Sequence, residues 1–418
     1  MGIAQISNIY GVSAFIDDPR HFVWPTLNGQ PTKLLGHRGE KAFLPEHTVA
    51  SYFQAGLEGA DFIEPDLGLT KDGVVVCHHD EFLSGLTNVA DFPEFADRKR
   101  NYTWSYDKYV NTAYDWFIVD FTYEELSRLR VRQERYPWRP QVYNDKFKIA
   151  TFAEYLDIIR NITVTLERPF GIITEIKSPK LYNRFMPYPR YFEDKVLAMI
   201  QHWGFGNNSS KPINIPKNEA TAPYLKSVKP WPYNVKVGPA VIQSYDEDTI
   251  KYISKNSGIT TQYLNEFNPR MFTPKGLDEV AKHSKIVSTW KDILVAGPEA
   301  YIKDTYPESK WDQKEIDRLG GFLTGKEFVD EAHKRGMQVS LYTFYDSHQD
   351  KLYLCEKDKK LSSPKGFCPK DKIEEFFYFF DLGVDLLFCE DLVESQELRI
   401  FYNNKLEAQQ KSNLNQNH

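Results

Sequence analysis

Three stretches of the chain set its reading: LLGHRGE (34–40), FIEPDLGLT (62–70) and VVVCHHD (74–80). In each, an apolar run gives way to a polar or ionisable cluster: His37 and Arg38, then Glu64 and Asp66, then His78, His79 and Asp80. A strand buried on both faces requires a continuous apolar run. Nothing in packing requires an ionisable group at the end of every such run. The three stretches therefore read as neighbouring strands whose carboxyl ends gather round one site.

Working outward, Pro45-Glu46-His47-Thr48 starts a helix through Tyr52, Phe53, Ala55 and Leu57, and Gly59 ends it. Lys71-Asp72-Gly73 is a turn that joins the second and third strands without a helix. Residues 82–150 are rich in Tyr, Trp, Arg and Asp and break the alternation, so they read as an insertion. It carries one short helix after the capping box Thr122-Tyr123-Glu124-Glu125. A second box, Thr151 to Glu154, restarts the rhythm. Further strands are predicted at Gly171–Ile176, Ala240–Ser244, Thr260–Leu264, Ile286–Thr289, Gln338–Thr343 and Asp385–Cys389. Helices are predicted at Tyr191–Trp203, Glu247–Ser254, Leu277–His283, up to Lys334, and at Ile373–Leu382. Such alternation implies parallel pairing. About eight strands close into an α/β TIM (β/α)8 barrel, with its insertion between an early strand and the following helix. The division is then an aromatic, Pro-containing segment wrapping the edge (1–32), the barrel (33–392), the insertion within it (82–150) and a tail (393–418) that is Asn/Gln/Lys-rich after Asn403 and expected to fray there.

Composition narrows the function. Over 418 residues, 52 Lys and Arg oppose 58 Asp and Glu, a net charge of −6 with no basic block, which excludes a nucleic-acid footprint. An anionic substrate then needs local help from a metal, Arg or Lys. There is no apolar run long enough for a transmembrane helix. MGIAQISNIYGVSAFIDD does not read as a signal peptide, which leaves a cytosolic chain or a processed mature one. Cys77 and Cys389 lie in apolar runs and read as buried thiols, whereas Cys355 and Cys368 flank a Lys-rich loop, either as a disulfide or as two free thiols. Glycosylation sequons at Asn101, Asn161, Asn207 and Asn208 add weight to a secreted or other extracytoplasmic compartment over the cytoplasm. There is no GxGxxG or Walker loop, and the oligomeric state is not legible.

In such a barrel, function sits at the carboxyl ends of the strands. Glu64 and Asp66 are two apart and share a strand face. Two carboxylates so close repel unless a cation or proton lies between them, and hard oxygen ligands suit Ca²⁺ or Mg²⁺. Glu175, ending the next long apolar run, is the natural third ligand. The plainer alternative for Glu64 or Asp66 alone is a surface pair with Lys71 or a turn cap. His37 and His79 are the candidate acid and base, since imidazole is poised for both roles near neutral pH. His78 alternates to the opposite face and reads as structural. Arg38 offers a fork for phosphate oxygens, or else a surface salt bridge. Lys177 shares a face with Glu175, or else is a solvated lysine. Phe43, Tyr245, Trp290, Phe344 and Tyr345 fall near strand ends, where they line a pocket mouth or pack in the rim or core.

These residues carry a resemblance. HRG (37–39), PEHT (45–48), GADFIEPD (59–66), TKDG (70–73) and HD (79–80) resemble the glycerophosphodiester phosphodiesterase family. EIK (175–177), QSYD (243–246), YTF (342–344) and GVDLLF (383–388) extend the match across roughly residues 33–392. NVADFPEFADRKR and FTYEELSRLRVRQ in the insertion resemble the longer periplasmic bacterial and plant-type members. The resemblance implies a TIM barrel that hydrolyses small glycerophosphodiesters to sn-glycerol 3-phosphate and an alcohol with one divalent metal ion, Ca²⁺ or Mg²⁺. By position it assigns His37 and His79 as catalytic, Glu64, Asp66 and Glu175 as metal ligands, and Arg38 and Lys177 as phosphate contacts. The chain departs from the pattern at His47, where Asn is usual, at Gly85, where Arg often follows HD, and at Cys389-Glu390-Asp391, in place of a TDFP-like ending. Two rivals are a sphingomyelinase D-like or lysophospholipase D phosphodiesterase on the same barrel, and a non-catalytic binding module. The insertion counts against the first, and retention of both histidines and all three acids against the second.

Overall fold

The computed structural model describes residues 23–106, 109–205, 237–307, 309–346, 354–361 and 367–416. Most of the expected edge-wrapping segment and of the Pro-rich excursion after Gly204 lies outside them. The strands are β1 (Lys33–Gly36), β2 (Phe62–Ile63), β3 (Asp66–Leu69), β4 (Val75–Cys77), β5 (Arg100–Tyr106), β6 (Tyr109–Asp115), β7 (Gly171–Ile176), β8 (Ala240–Ser244), β9 (Thr260–Leu264), β10 (Ile286–Trp290), β11 (Gln338–Phe344) and β12 (Leu386–Cys389).

Eight of these close a parallel barrel in the order β2-β1-β12-β11-β10-β9-β8-β7, with β2 pairing back to β7. The fold is the expected TIM barrel. Alternation along each strand sends Leu35, Ile173, Val241, Leu264, Ile286, Leu386 and Phe388 into one cluster inside the barrel. The outward residues Ile172, Ile176, Ile242, Val287, Val339 and Leu387 join the larger core under the helices. Capping works as read: Thr122 and Thr151 each accept from the backbone N–H three residues on, and Glu125 and Glu154 accept from the capping backbone.

Four differences from the sequence reading have physical causes. Val75–Cys77 is not a barrel strand. The tight Lys-Asp-Gly turn folds β4 back antiparallel on β3, as so short a connection must. The insertion holds an antiparallel hairpin, β5–β6, besides its short helix; its alternation is masked because few of its side chains are aliphatic. Between β10 and β11 lie helices Lys291–Ala296, Pro298–Thr305 and Gln313–Arg318 ahead of Lys326–Lys334, each too short to show a periodicity. The tail after Asn403, expected to fray, continues the helix Leu392–Gln416. That helix is pinned by Arg399, which donates to the Thr32 carbonyl and to Asp61, by Tyr402, which donates to Asp381, and by burial of Leu392 and Leu398. Cys355 and Cys368 are joined as a disulfide with Cα atoms 5.9 Å apart, while Cys77 and Cys389 are buried free thiols.

Candidate active site

The carboxyl ends of the barrel strands surround a cavity of about 290 Å³. His37, Arg38, Glu64, Asp66, His79, Glu175 and Lys177, read from strand ends alone, all line it. The strand that begins at Phe62 breaks at Glu64-Pro65, because proline has no N–H for the ladder. It restarts as β3, in which Asp66 sits in register with Glu175 of β7. This break brings three carboxylates from two segments together: oxygens of Glu64, Asp66 and Glu175 lie within 4.8 Å of one another. All three side chains are buried.

The electrostatics of this triad follow from its crowding. Burial and repulsion from Asp66 push the Glu64 carboxyl well above the usual range. Burial lifts Glu175 to about 8, against the pull of Lys177 and with help from Asp66. Burial also works on Asp66, but Lys177, a bond from His47 and the Arg38 charge outweigh it and hold that carboxyl well down. Ionised together, these three buried carboxylates would carry more negative charge than the nearby bases neutralise, and a hard divalent cation would supply the balance. The donor set therefore fits such an ion.

Each member of the triad is held by a neighbour. Glu64 accepts from the Arg38 backbone N–H at 2.9 Å and from the Gln243 amide at 3.1 Å, and Gln262 in turn donates to Gln243 at 2.8 Å. Asp66 is 3.0 Å from His47 Nε2, whose Nδ1 lies 2.8 Å from the Tyr52 hydroxyl. His47, the departure noted in PEHT, thus braces a carboxylate of the triad. The expected helix start moves to Val49 because Pro45–His47 is diverted toward the site, with His47 at φ 57°. Arg38, at φ 63°, is fixed between Glu46 at 2.9 Å and Asp66 at 3.2 Å. Lys177 Nζ lies 3.3 Å from Glu175 and 4.0 Å from Asp66.

Each histidine has a carboxylate near its Nδ1. His79 Nδ1 is 2.6 Å from Asp80 Oδ1, which fixes the tautomer that leaves Nε2 as the second ring nitrogen to act. His37 Nδ1 is 3.9 Å from Glu390 Oε1, and its ring meets Phe388 edge-on. Burial, with the Arg38 and Lys177 charges, pulls His79 down to about 3. Burial with Lys41 and Arg38 likewise lowers His37 well below its ordinary value. Both shifts favour the neutral imidazole.

The two carboxylates are held in turn by arginines of the insertion. Arg135 is 2.8 Å from Asp80, and Arg139 is 2.6 Å from Glu390, which also pairs with Lys41 at 2.8 Å. Gly85 leaves room for this: a Cβ there would stand 3.2 Å from the Arg135 guanidinium and 3.4 Å from Asp80. Sequence reasoning missed Lys41, Glu46, Arg135, Arg139 and Glu266. The first four lie in loops with no periodicity to reveal them. Glu266 follows Leu264 by two residues, so continuing the strand alternation past the end of β9 would have found it. Of the five aromatics, Tyr245, Trp290 and Tyr345 line the cavity, joined by Tyr342. Phe344 is instead packed on Phe376 and Phe379, and Phe43 is exposed.

Comparison with known proteins bears on the family. Residues 37–187 match the profile of the Glycerophosphoryl diester phosphodiesterase family. The chain is 33% identical to glycerophosphodiester phosphodiesterase GDPD6 of Arabidopsis thaliana, over 87% of this chain and 86% of that one. It is 26% identical to a glycerophosphodiester phosphodiesterase of Haemophilus influenzae, over 64% of this chain and 60% of that one. A crystal structure assigned to the same enzymes, from Silicibacter pomeroyi DSS-3, shares the fold at a TM-score of 0.55 and 16% identity, covering 91% of this chain and 98% of the other. The chain therefore belongs to the glycerophosphodiester phosphodiesterase family of phosphoric diester hydrolases.

Proposed function

We propose that this chain hydrolyses glycerophosphodiesters to sn-glycerol 3-phosphate and an alcohol, with His37 and His79 as the acid–base pair. The observation that carries the reading is that both histidines share one cavity with the carboxylate triad, Arg38 and Lys177. Glu64, Asp66 and Glu175 hold a divalent cation, Ca²⁺ or Mg²⁺. When bound, that ion neutralises phosphate charge and lowers the pKa of a hydroxyl beside it. Arg38, oriented by Glu46 and Asp66, and Lys177 stabilise the charge on the phosphoryl oxygens.

A neutral imidazole is the form a general base needs, and burial keeps both histidines in that form before substrate arrives. An anionic phosphodiester seated between them offsets the Arg38 and Lys177 charges and raises the affinity of an imidazole for a proton. One histidine then takes the proton of the attacking oxygen, that of water or of the neighbouring glycerol hydroxyl, and the other delivers a proton to the departing alcohol. Where the glycerol hydroxyl attacks, the cyclic phosphate formed is opened by water to glycerol 3-phosphate. Asp80, against His79 Nδ1, stabilises the positive charge that ring acquires.

The test is to incubate the purified protein with glycerophosphocholine, with and without EDTA, and to assay glycerol 3-phosphate. Product should form, vanish on chelation and return with added Ca²⁺ or Mg²⁺. Product that survives full chelation would remove the metal from the reaction.

A further inference from the structure

The cavity has a second half that the proposed chemistry does not use. At the carboxyl ends of β8, β9, β10 and β11 the side chains facing it include Tyr245, Glu266, Trp290, Tyr342 and Tyr345. Their rings form successive walls set at steep angles. Tyr245 and Tyr342 have centroids 6.3 Å apart at 77°, Trp290 and Tyr342 lie 6.0 Å apart at 76°, and Trp290 and Tyr345 lie 5.8 Å apart at 57°. Among them stands one carboxylate. Glu266 accepts hydroxyl bonds from Tyr245 at 2.5 Å, Tyr306 at 2.8 Å and Tyr301 at 3.3 Å. These donors fix its position. Among the described residues its recorded partners are phenols, and none is a cation.

Aromatic faces carry negative potential, and an alkylammonium group enclosed by several of them is attracted to each. A fixed carboxylate at such walls adds a full charge of the same sign. The chemistry that fits this half is a bulky, weakly hydrated cation. With the phosphate at Arg38, Lys177 and the cation the triad would hold, one arm of the diester extends into the aromatic half. Glycerol is neutral, so the arm a carboxylate there attracts is a cationic alcohol.

We propose that Tyr245, Glu266, Trp290, Tyr342 and Tyr345 form a subsite for a cationic head group, so that this enzyme prefers glycerophosphodiesters of amino alcohols of the choline type. The proposal rests on the phosphodiesterase reading above. The alternative occupant is a neutral polyol stacked on the same rings, and the experiment separates the two.

The test compares kcat/KM for glycerophosphocholine with that for glycerophosphoglycerol, in the full chain and in its Glu266→Gln and Trp290→Leu variants. Glutamine keeps an acceptor for the tyrosine hydroxyls, and turnover of the neutral substrate reports on folding. The wild type should favour the choline ester by roughly tenfold or more, and Glu266→Gln should lower that ratio by roughly tenfold through the choline ester alone. A wild-type ratio near or below one, or an equal loss on both substrates in Glu266→Gln, overturns the subsite. If neither substrate is turned over, the phosphodiesterase reading fails instead. Calorimetry with choline chloride then decides the subsite: saturable binding weakened by Glu266→Gln and Trp290→Leu sustains it, and no saturable binding up to tens of millimolar overturns it.

Discussion

The two halves of the barrel mouth are built on opposite principles. The arc formed by β12, β1, β2 and β7 with β3 presents Glu390, His37, Arg38, Glu64, Asp66, Glu175 and Lys177, and almost every group in it is held by a charged partner. The arc of β8 to β11 presents tyrosines, a tryptophan and one carboxylate, held by ring contacts and phenol hydrogen bonds. Charged bracing fixes atoms to within a fraction of an ångström, as proton transfer and phosphate stabilisation demand. Ring packing shapes a volume, and a volume with a diffuse negative potential is what the proposed head-group subsite needs. On the proposed roles, reaction and selection would be separable along the circumference of one barrel.

That separation can be attacked directly. The largest effect is expected in the charged arc: His37→Ala or His79→Ala should each lower kcat by about a thousandfold, ~4 kcal/mol, on choline and glycerol esters alike. Calcium binding measured by calorimetry should persist. Full activity in both variants would sink their assignment.

Next in size is the metal. Ca²⁺ or Mg²⁺ at a hundred times its dissociation constant should stabilise the fold by about 2.7 kcal/mol, read as a rise in Tm. Glu175→Gln should abolish that rise, whereas Trp290→Leu should leave it intact. If the tryptophan variant also lost it, the two arcs would not be independent.

A charge outside both arcs supplies a control. Burial opposes ionisation of Asp61, yet Arg399 and Lys33 hold its carboxyl at about 2, below the ordinary 3.8. A depressed carboxyl stabilises the fold above its unfolded pKa and loses that contribution as pH falls through the folded value. Denaturant unfolding should therefore show about 2 kcal/mol lost between pH 4 and pH 2, with a shallower slope in Asp61→Asn. Equal slopes would deny the pair its role in securing the last helix to β1.

The smallest effect expected is at Arg135. Arg135→Ala should lower kcat by about tenfold, ~1.4 kcal/mol, with KM nearly unchanged. Tm should barely move, because the guanidinium is part-exposed and such pairs contribute little to stability. Asp80, freed of that positive charge, should bind protons more readily, so the acid limb of the pH–rate profile should move to higher pH. Arg135→Lys should restore most of the rate. An unchanged pH profile would reduce Arg135 to a structural contact.

How far the sequence alone could see is itself instructive. The alternation that turns Ile172 and Ile176 outward and Ile173, Glu175 and Lys177 into the barrel is a local property of a strand. The break at Pro65, by contrast, goes unread in a stretch taken as one strand with Glu64 and Asp66 on one face. Alternation is written in consecutive residues, which is why the charged arc was legible. The direction of β4 was misread because an apolar run does not state its own polarity; the Lys-Asp-Gly turn before it does. The braces were invisible for another reason. Arg139 meets Glu390 across 251 positions of chain, and no spacing rule spans such a gap. The aromatic arc fell between these cases: its residues were noticed singly, but a cage exists only once four strands stand side by side.

The arginines of residues 82–150 bear on inheritance. A segment that merely covered a barrel could be lost, lengthened or traded between relatives without touching the reaction. Here Arg135 and Arg139 reach the carboxylates beside both histidines. A chimera that replaced this segment with a relative's would leave Asp80 and Glu390 without those countercharges unless it brought its own bases to the same two points. Barrel and insertion must therefore change together, and variation in one should be traceable in the other.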